Sequence, residues 1–362
     1  MFISDSADSS CKFSYAVRHL AAAPSLTLLG TDAHRPRHGD VVLARVEEIG
    51  HHRFLERPDG RRAQLYAGDR VVVALAPRYA PDQFEAELPD GLGPCDLVAA
   101  GGIAARVVGK HTRTGRPTRL CPIGLVGDAT GAVVNVADVA PVRSASASGA
   151  AFTAHVPTVF VVGTAMNSGK TTTACSLVNG LVRAGRTVGA VKITGTGAGG
   201  DIWAYRDAGA AEALDFGDAG LATTFRVGLE RLTGVARGLH AELTSRGVDA
   251  VVVEVADGVL QPETSQLVRD PVIQGLADAW MFAASDAAGA AHGVAWLREA
   301  GVTVSAISGL LTASPLSIRE AQAALPVPVY SPADLTDPAV ATGLLDRAAP
   351  VPARASALVE GE

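Results

Sequence analysis

An apolar run, Val159-Phe160-Val161-Val162, leads into Gly163-Thr164-Ala165-Met166-Asn167-Ser168-Gly169-Lys170-Thr171-Thr172. Those residue types, in that order, can hold phosphate. A strand that ends in a glycine-bounded loop and opens a helix aims backbone N–H groups at an anion. The lysine adds a point charge, and a threonine hydroxyl can ligate Mg²⁺. The usual loop has four residues between its glycines; here Thr164 to Ser168 fill the gap, one residue more. A chance Gly-Lys-Thr among 39 glycines is the bland alternative. The β-branched strand before the loop and the helical pattern after it, Thr171 to about Ala184, argue against chance. Lys170 is expected on the β/γ-phosphates and Thr171 on Mg²⁺. Gly163, Thr164, Asn167, Ser168, Gly169 and Thr172 complete the cradle.

Further along, strand candidates alternate with helical patterns: Thr158–Val162, Thr187–Lys192, Ala250–Glu254, Trp280–Ala284, Val302–Ile307 and Val327–Tyr330. Such alternation predicts an α/β domain with a parallel sheet, spanning 157–345. Ligands gather at the carboxyl ends of its strands, so those ends are where chemistry is sought. The second strand ends at Lys192, and a glycine-rich loop carries the chain to Asp201. That loop can bring lysine and aspartate to a phosphate, or be a surface loop. Asp201 is either a helix cap or a cap that also helps hold the metal. Val251-Val252-Val253 ends in Glu254, and an apolar strand ending in a carboxylate beside a phosphate loop is a magnesium pattern. Asp257, next to Gly258, is a candidate for acceptor contact or for shaping a turn. Gln261-Pro262-Glu263-Thr264 reads as acceptor-pocket lining or as a cap of the following helix, and Ser331-Pro332-Ala333-Asp334 as a loop touching the base or an ordinary surface turn.

At 362 residues the chain has room for two domains. Its 31 basic and 37 acidic residues give a net charge of −6, with no basic footprint for nucleic acid. Cys11, Cys95, Cys121 and Cys175 are scattered, without metal or disulfide spacing. With no signal-peptide pattern and no apolar run of membrane length, a cytoplasmic protein with no membrane partner is expected. Residues 38–142 alternate short apolar runs with turns, as in Val41–Val46, Pro58-Asp59-Gly60, Arg70–Leu75, Ala104–Val108 and Ala132–Val136. They predict a small antiparallel β barrel or sandwich. Residues 1–37 read as an irregular lead with one short helix, 143–156 as a linker, and 346–362 as a flexible tail.

The phosphate loop, with its Gly163-Thr164 opening and longer spacing, resembles that of dethiobiotin synthetase. Val253-Glu254-Val255-Ala256-Asp257-Gly258 is similar to that family's Val-Glu-Gly-Ala-Gly-Gly, whose glutamate helps hold magnesium, and Lys192 corresponds to its strand-end lysine. Gly199-Gly200-Asp201-Ile202-Trp203, then Arg206 and Ala208-Gly209-Ala210, is similar to molybdopterin-guanine dinucleotide biosynthesis protein B. Both resemblances imply a P-loop NTPase fold over roughly 157 to 335.

The reading that unites these residues is an ATP-dependent, kinase- or ligase-like enzyme that phosphorylates or activates a small-molecule acceptor, possibly a carboxylate. Lys170 and Lys192 would neutralise the moving phosphoryl group, and Thr171, Asp201 and Glu254 would organise Mg²⁺. Asp207 or Asp257 would orient the acceptor. GTP is the alternative donor, although the guanine-reading Asn-Lys-x-Asp is absent. A nucleotide-hydrolysing accessory protein, docking through its β domain, is the competing reading. A homodimer is compatible with either.

Overall fold

The computed structural model describes residues 2–3, 11–20, 26–30, 34–144 and 155–346. Most of the expected linker and all but the first residue of the expected tail lie outside the described residues.

The C-terminal half is built on six strands: β1 (Thr158–Gly163), β2 (Val188–Lys192), β3 (Glu212–Asp215), β4 (Ala250–Glu254), β5 (Ala279–Ala283) and β6 (Val304–Ser308). They pair in the order β3-β2-β4-β1-β5-β6, every pair parallel. Val251, Val252 and Val253 are all buried, as expected of a strand covered on both faces. The covering helices include α1 (Lys170–Arg183), α2 (Gly200–Asp207), α3 (Leu229–Ser245) and α4 (Pro262–Arg269). α1 buries Ala174, Leu177, Val178 and Leu181 on one stripe, and α3 buries Leu232, Val235, Leu239 and Leu243 at helical spacing. From β1 the chain crosses to β2 on one side, and from β4 it crosses back to β5 on the other. The sheet therefore has a switch point between β1 and β4, where a ligand crevice opens beyond the strand ends. With the loop after β1, this is a P-loop NTPase fold.

Two elements differ from expectation. Glu212–Asp215 is an edge strand that a four-residue Glu-Ala-Leu-Asp run does not announce. Val327–Tyr330 is not a strand, because only Val329 pairs, in a single bridge to Ile307.

The N-terminal half is a ten-stranded mixed sheet, not the purely antiparallel barrel or sandwich expected. Val41–Glu48 pairs antiparallel with Arg70–Leu75 and with Thr118–Gly127. Arg70–Leu75, however, pairs parallel with both Cys11–Phe13 and Ile103–Lys110. The lead is thus part of the sheet. Cys11–Phe13 and Leu26–Leu29 are strands, and Tyr15–Leu20 is a 3-10 helix. Ala132–Val136 does not form a strand either; Val133 makes one bridge to Gly127, and Asn135 caps a short 3-10 helix over Val136–Val139.

The two halves pack together. Ala222, from the loop after β3, sits in the N-terminal core, and Val142 sits in the C-terminal one. A polar cluster fastens the seam. The Tyr15 hydroxyl donates to Asp215 Oδ2 at 2.7 Å, and the Arg18 guanidinium donates to Asp215 and Asp218 at 2.7 Å each. His19 Nε2 lies 2.9 Å from Asp218. Burial alone would raise the Asp218 pKa, but the His19 hydrogen bond and the Arg18 charge win and pull it down to about 2. An unfolded aspartate titrates near 3.9. A depressed folded pKa stabilises above the unfolded value and is lost as pH falls through the folded one. Urea unfolding is therefore expected to show stability dropping between about pH 4 and pH 2, with Asp218→Asn flattening that slope. An unchanged slope in the variant would remove Asp218 as the cause.

Candidate functional site

β1 delivers the chain into the loop, and the loop is shaped by its backbone. Asn167 has φ of 64° and Gly169 has φ of 93°. Gly169 is the N-cap of α1 and no side chain caps that helix. The first-turn N–H groups of α1 have no acceptor within the helix, so its positive end faces the crevice. Lys170 folds back to donate to the Ala165 carbonyl at 2.7 Å, spanning the loop. A Cβ on Gly163 would stand 2.5 Å from Ser168 Oγ and 2.6 Å from the Ala283 carbonyl, so only glycine permits this turn. The Thr164 and Ser168 hydroxyls are buried without a hydrogen-bond partner among the described residues. An open helix end is what a phosphate chain would satisfy; Asn167 and Gly169 line the crevice there, whereas Gly163, Thr164 and Ser168, expected in the cradle, do not. Thr172 lines the crevice beside Thr171.

Beside the loop, five side chains meet. The Thr171 hydroxyl lies 3.1 Å from Asp201 Oδ1 and 3.1 Å from Glu254 Oε1. Lys192 forms a close ion pair with Asp201 and stands 3.7 Å from Glu254. The Tyr205 hydroxyl donates to Glu254 Oε2 at 2.6 Å. Glu254 comes from the end of β4, Lys192 from the end of β2 and Asp201 from the first turn of α2. Asp201 is not that helix's cap, since Gly199 occupies the position. Its side chain is committed to Thr171 and Lys192 instead. Among the described residues no group of three His, Cys, Asp or Glu side chains could hold a metal unaided. Mg²⁺ needs no such cage: it takes one or two carboxylates, a hydroxyl and phosphate oxygens. Thr171, Asp201 and Glu254 could supply such a set, since one hydroxyl and two carboxylates converge here.

Charges here are tuned by proximity. Burial pulls the Lys170 pKa down to about 8, against the attraction of Glu254. Burial also disfavours a charged Lys192, but Asp201 and Glu254 outweigh it and hold the ammonium above its usual range. Asp257, which follows β4 with φ of 63°, is pushed up by burial against the pull of Lys170 and Lys192. Gly258, next in chain, lies so close to the loop that a Cβ would be 2.3 Å from the Thr164 carbonyl. Asp257 therefore faces the crevice from beside the phosphate loop.

One expected acceptor-orienting residue, Asp207, does not join the site. Asp207 is exposed at the last position of α2 and does not line the crevice, because the helix turns it away. Gln261 and Ser331 serve as helix caps, accepting from Thr264 N and Asp334 N.

The N-terminal sheet supplies the opposite wall, which no local pattern in the sequence indicates. A cavity of about 890 Å³ lies between the two halves. His52, Arg53, Glu56, Arg62, Arg78 and Tyr79 face it from the N-terminal side, and Lys170, Thr171, Lys192, Asp201, Glu254 and Asp257 from the other. The wall is pinned in place. Glu56 accepts from Gly199 N at 3.0 Å, Asn167 donates to Asp82 at 2.9 Å, and Thr223 donates to the Pro77 carbonyl at 2.8 Å. Gly60, at φ of 82°, lies against the Trp203 indole so closely that any Cβ would clash at 2.2 Å.

No family model and no curated protein matches the chain. Among solved structures it is similar to the signal recognition particle 54 kDa protein from Aeropyrum pernix K1 in complex with GDP. That match has 22% identity and a TM-score of 0.35, over 54% of this chain and 50% of that one. It is also similar to the signal recognition particle receptor FtsY from Elizabethkingia anophelis, at 16% identity and a TM-score of 0.35, over 56% and 67%. The cell division protein ftsY from Thermotoga maritima follows at 15% identity and 0.34, over 58% and 73%. The chain thus spans half the length of the first of these structures. The finer resemblance to the two families has no support among these matches. Among the described residues no helix is long and apolar enough to cross a membrane.

Proposed function

We propose that this protein is a magnesium-dependent phosphotransferase. It moves the terminal phosphoryl group of a nucleoside triphosphate, ATP foremost, to a small-molecule acceptor held between its two halves. The observation that supports this reading is the cleft itself. The loop after β1 and the Thr171, Asp201 and Glu254 cluster line one wall, and a fixed sheet carrying polar side chains lines the other. At about 890 Å³ it stands near the upper end of the range for small-molecule sites, with room for a nucleotide's phosphates and a second reactant. A docking module that works by recruiting partners has no need to be pinned over the phosphate loop, as Asp82 and Pro77 pin this one.

Bound Mg²⁺ would screen the phosphate charge. An acceptor oxygen would attack the terminal phosphorus while the bond to the bridging oxygen breaks, and the diphosphate leaves with that electron pair. Lys170 and Lys192 lower the cost of the charge that builds during transfer, acting where water is largely excluded. Thr171, Asp201 and Glu254 fix the ion. Asp257, held toward its neutral form by burial, is placed to accept a hydrogen bond from the acceptor or to donate one to it.

The test is turnover of ATP and GTP side by side, alone and with candidate acceptors. Slow release of inorganic phosphate without acceptor, and equal yields of diphosphate and phosphorylated acceptor with it, are expected. Fast acceptor-independent hydrolysis would overturn the transfer reading. Glu254→Gln is expected to keep nucleotide binding and to need about 10- to 100-fold more Mg²⁺ for half-maximal turnover. An unchanged magnesium response would take Glu254 out of the ion's shell.

A further inference from the structure

We propose that Arg78 of the N-terminal sheet is the anchor of the acceptor subsite, and that the acceptor is a small molecule bearing anionic oxygens, carboxylate or phosphate. This rests on the phosphotransfer reading of the cleft and adds the acceptor's chemical class.

Arg78 is 5% exposed, yet it makes no ion pair among the described residues. A buried charge without a partner is costly, and proteins keep one mainly where something completes it. Its hydrogen bonds are equally incomplete. Nη2 donates to Gln83 Oε1 at 2.9 Å, while Nε is buried with no acceptor. Nη1 lies 3.3 Å from His52 Nε2, but that nitrogen also stands 2.9 Å from the Val98 carbonyl. Burial, reinforced by the Arg78 charge, pushes the His52 pKa down to about 3, so the ring is neutral. To serve the Val98 carbonyl, its single proton must be on Nε2, which then cannot accept from Arg78. The guanidinium has five donors, and Gln83 is the one firm acceptor. Burial pulls its pKa down to about 10, so it remains a cation at neutral pH. Asp82 and Asp257 are near enough to act on it electrostatically but do not touch it.

The backbone that carries it is also held in place. Arg78 pairs in register with Ala86, and its neighbour Pro77 is tied to Thr223. A planar fork, fixed and short of acceptors, suits two-point recognition of a carboxylate or phosphate. The nucleotide's own phosphates are provided for on the other wall by Lys170, Lys192 and the open end of α1. Arg78 faces the same cleft from across it. Arg53 and Arg62, both exposed, add positive charge around the wall. Glu56 does not neutralise Arg78, since its carboxylate already accepts from Gly199 N and feels Arg62.

The experiment is calorimetric titration of succinate and of inorganic phosphate into wild type, Arg78→Met, Arg78→Lys and Lys170→Ala, without nucleotide. Mg·ATP is titrated separately. At least one probe is expected to bind the wild type at millimolar concentration and to persist in Lys170→Ala, which removes the phosphate loop as its site. In Arg78→Met its affinity falls at least thirtyfold, with Mg·ATP affinity held within twofold; the lysine variant lies between. Succinate binding with little response to phosphate marks a carboxylate acceptor, and the reverse marks a phosphorylated one. Because Met relieves an unpaired buried charge, the ligand-free Arg78→Met protein is expected to melt no lower than wild type, whereas a purely structural arginine would lower the melting temperature. Wild type that binds neither probe, or equal binding in Arg78→Met, overturns the proposal. So does a matching loss of Mg·ATP affinity, which would move Arg78 to the nucleotide. Failure of Mg·ATP to bind at all would instead strike the phosphotransfer reading and leave the anion probes to report on Arg78 alone.

Discussion

Replacing Lys170 by alanine is expected to abolish nucleotide binding in practical terms, with affinity for Mg·ATP falling about a hundredfold or more. The ammonium does two things. It closes the loop by donating to the Ala165 carbonyl, and it supplies a buried positive charge at the mouth of α1. A charge-assisted hydrogen bond is worth about 1.5–3 kcal/mol, and the loop's shape is lost with it. The same residue predicts a pH response in the wild type. Burial brings its pKa to about 8, so the cation fades as pH rises through that value. Affinity is expected to be flat below pH 7 and to weaken by roughly tenfold by pH 9, because each unit above the pKa removes about nine-tenths of the protonated form. Titration of a fluorescent ATP analogue across this range would show both effects. Alanine-variant affinity within threefold of wild type would dismiss the loop as a phosphate site.

The second large effect is in stability. Lys192→Met is expected to destabilise the magnesium-free protein by about 3–5 kcal/mol, the usual consequence of removing one member of a buried ion pair. Lys192 holds Asp201 and Glu254 together, and without it two carboxylates share the Thr171 hydroxyl with no cation between them. Mg²⁺ can take over the missing charge, so the variant should regain most of its stability when millimolar Mg²⁺ replaces chelator. Wild type should gain far less from the same exchange. Thermal or urea unfolding with chelator and with Mg²⁺ reads this directly. A variant as stable as wild type in chelator, or one indifferent to Mg²⁺, would show that these carboxylates are not the ion's site.

The loop side of the cleft was legible in the chain because its signals are local. A β-branched strand, a glycine-bounded loop and an amphipathic helix lie within 26 consecutive residues, Thr158 to Arg183. Glu254 was legible for a similar reason: a carboxylate at the end of three valines is out of place unless something uses it. Asp201 and Lys192 followed from the strand-end rule. Asp207 did not survive because helical phase, not proximity in sequence to Asp201, decides which way a side chain points. The opposite wall was hidden because its residues owe their position to pairings far along the chain. Arg78 reaches the cleft through a two-residue strand and a contact with Thr223, neither of which leaves a periodic trace. The mixed character of the N-terminal sheet was hidden for the same reason. Strands as short as Cys11–Phe13 are set by their partners and not by their own composition.

The seam between the halves also bears on how the chain acquires its structure. Tyr15 and Asp215 are separated by 200 positions, yet they share a hydrogen bond. During synthesis at about 5–20 residues per second, Asp215 emerges roughly 10 to 40 seconds after Tyr15. Throughout that interval Arg18 has neither of its carboxylates. The sheet that begins the chain must therefore wait for the end of β3 before its first segment can be seated. Contacts this distant slow the search for the native state, and they make the two halves succeed or fail together. A fragment ending before β1 would carry the N-terminal wall of the cleft without the aspartates that anchor its leading segment.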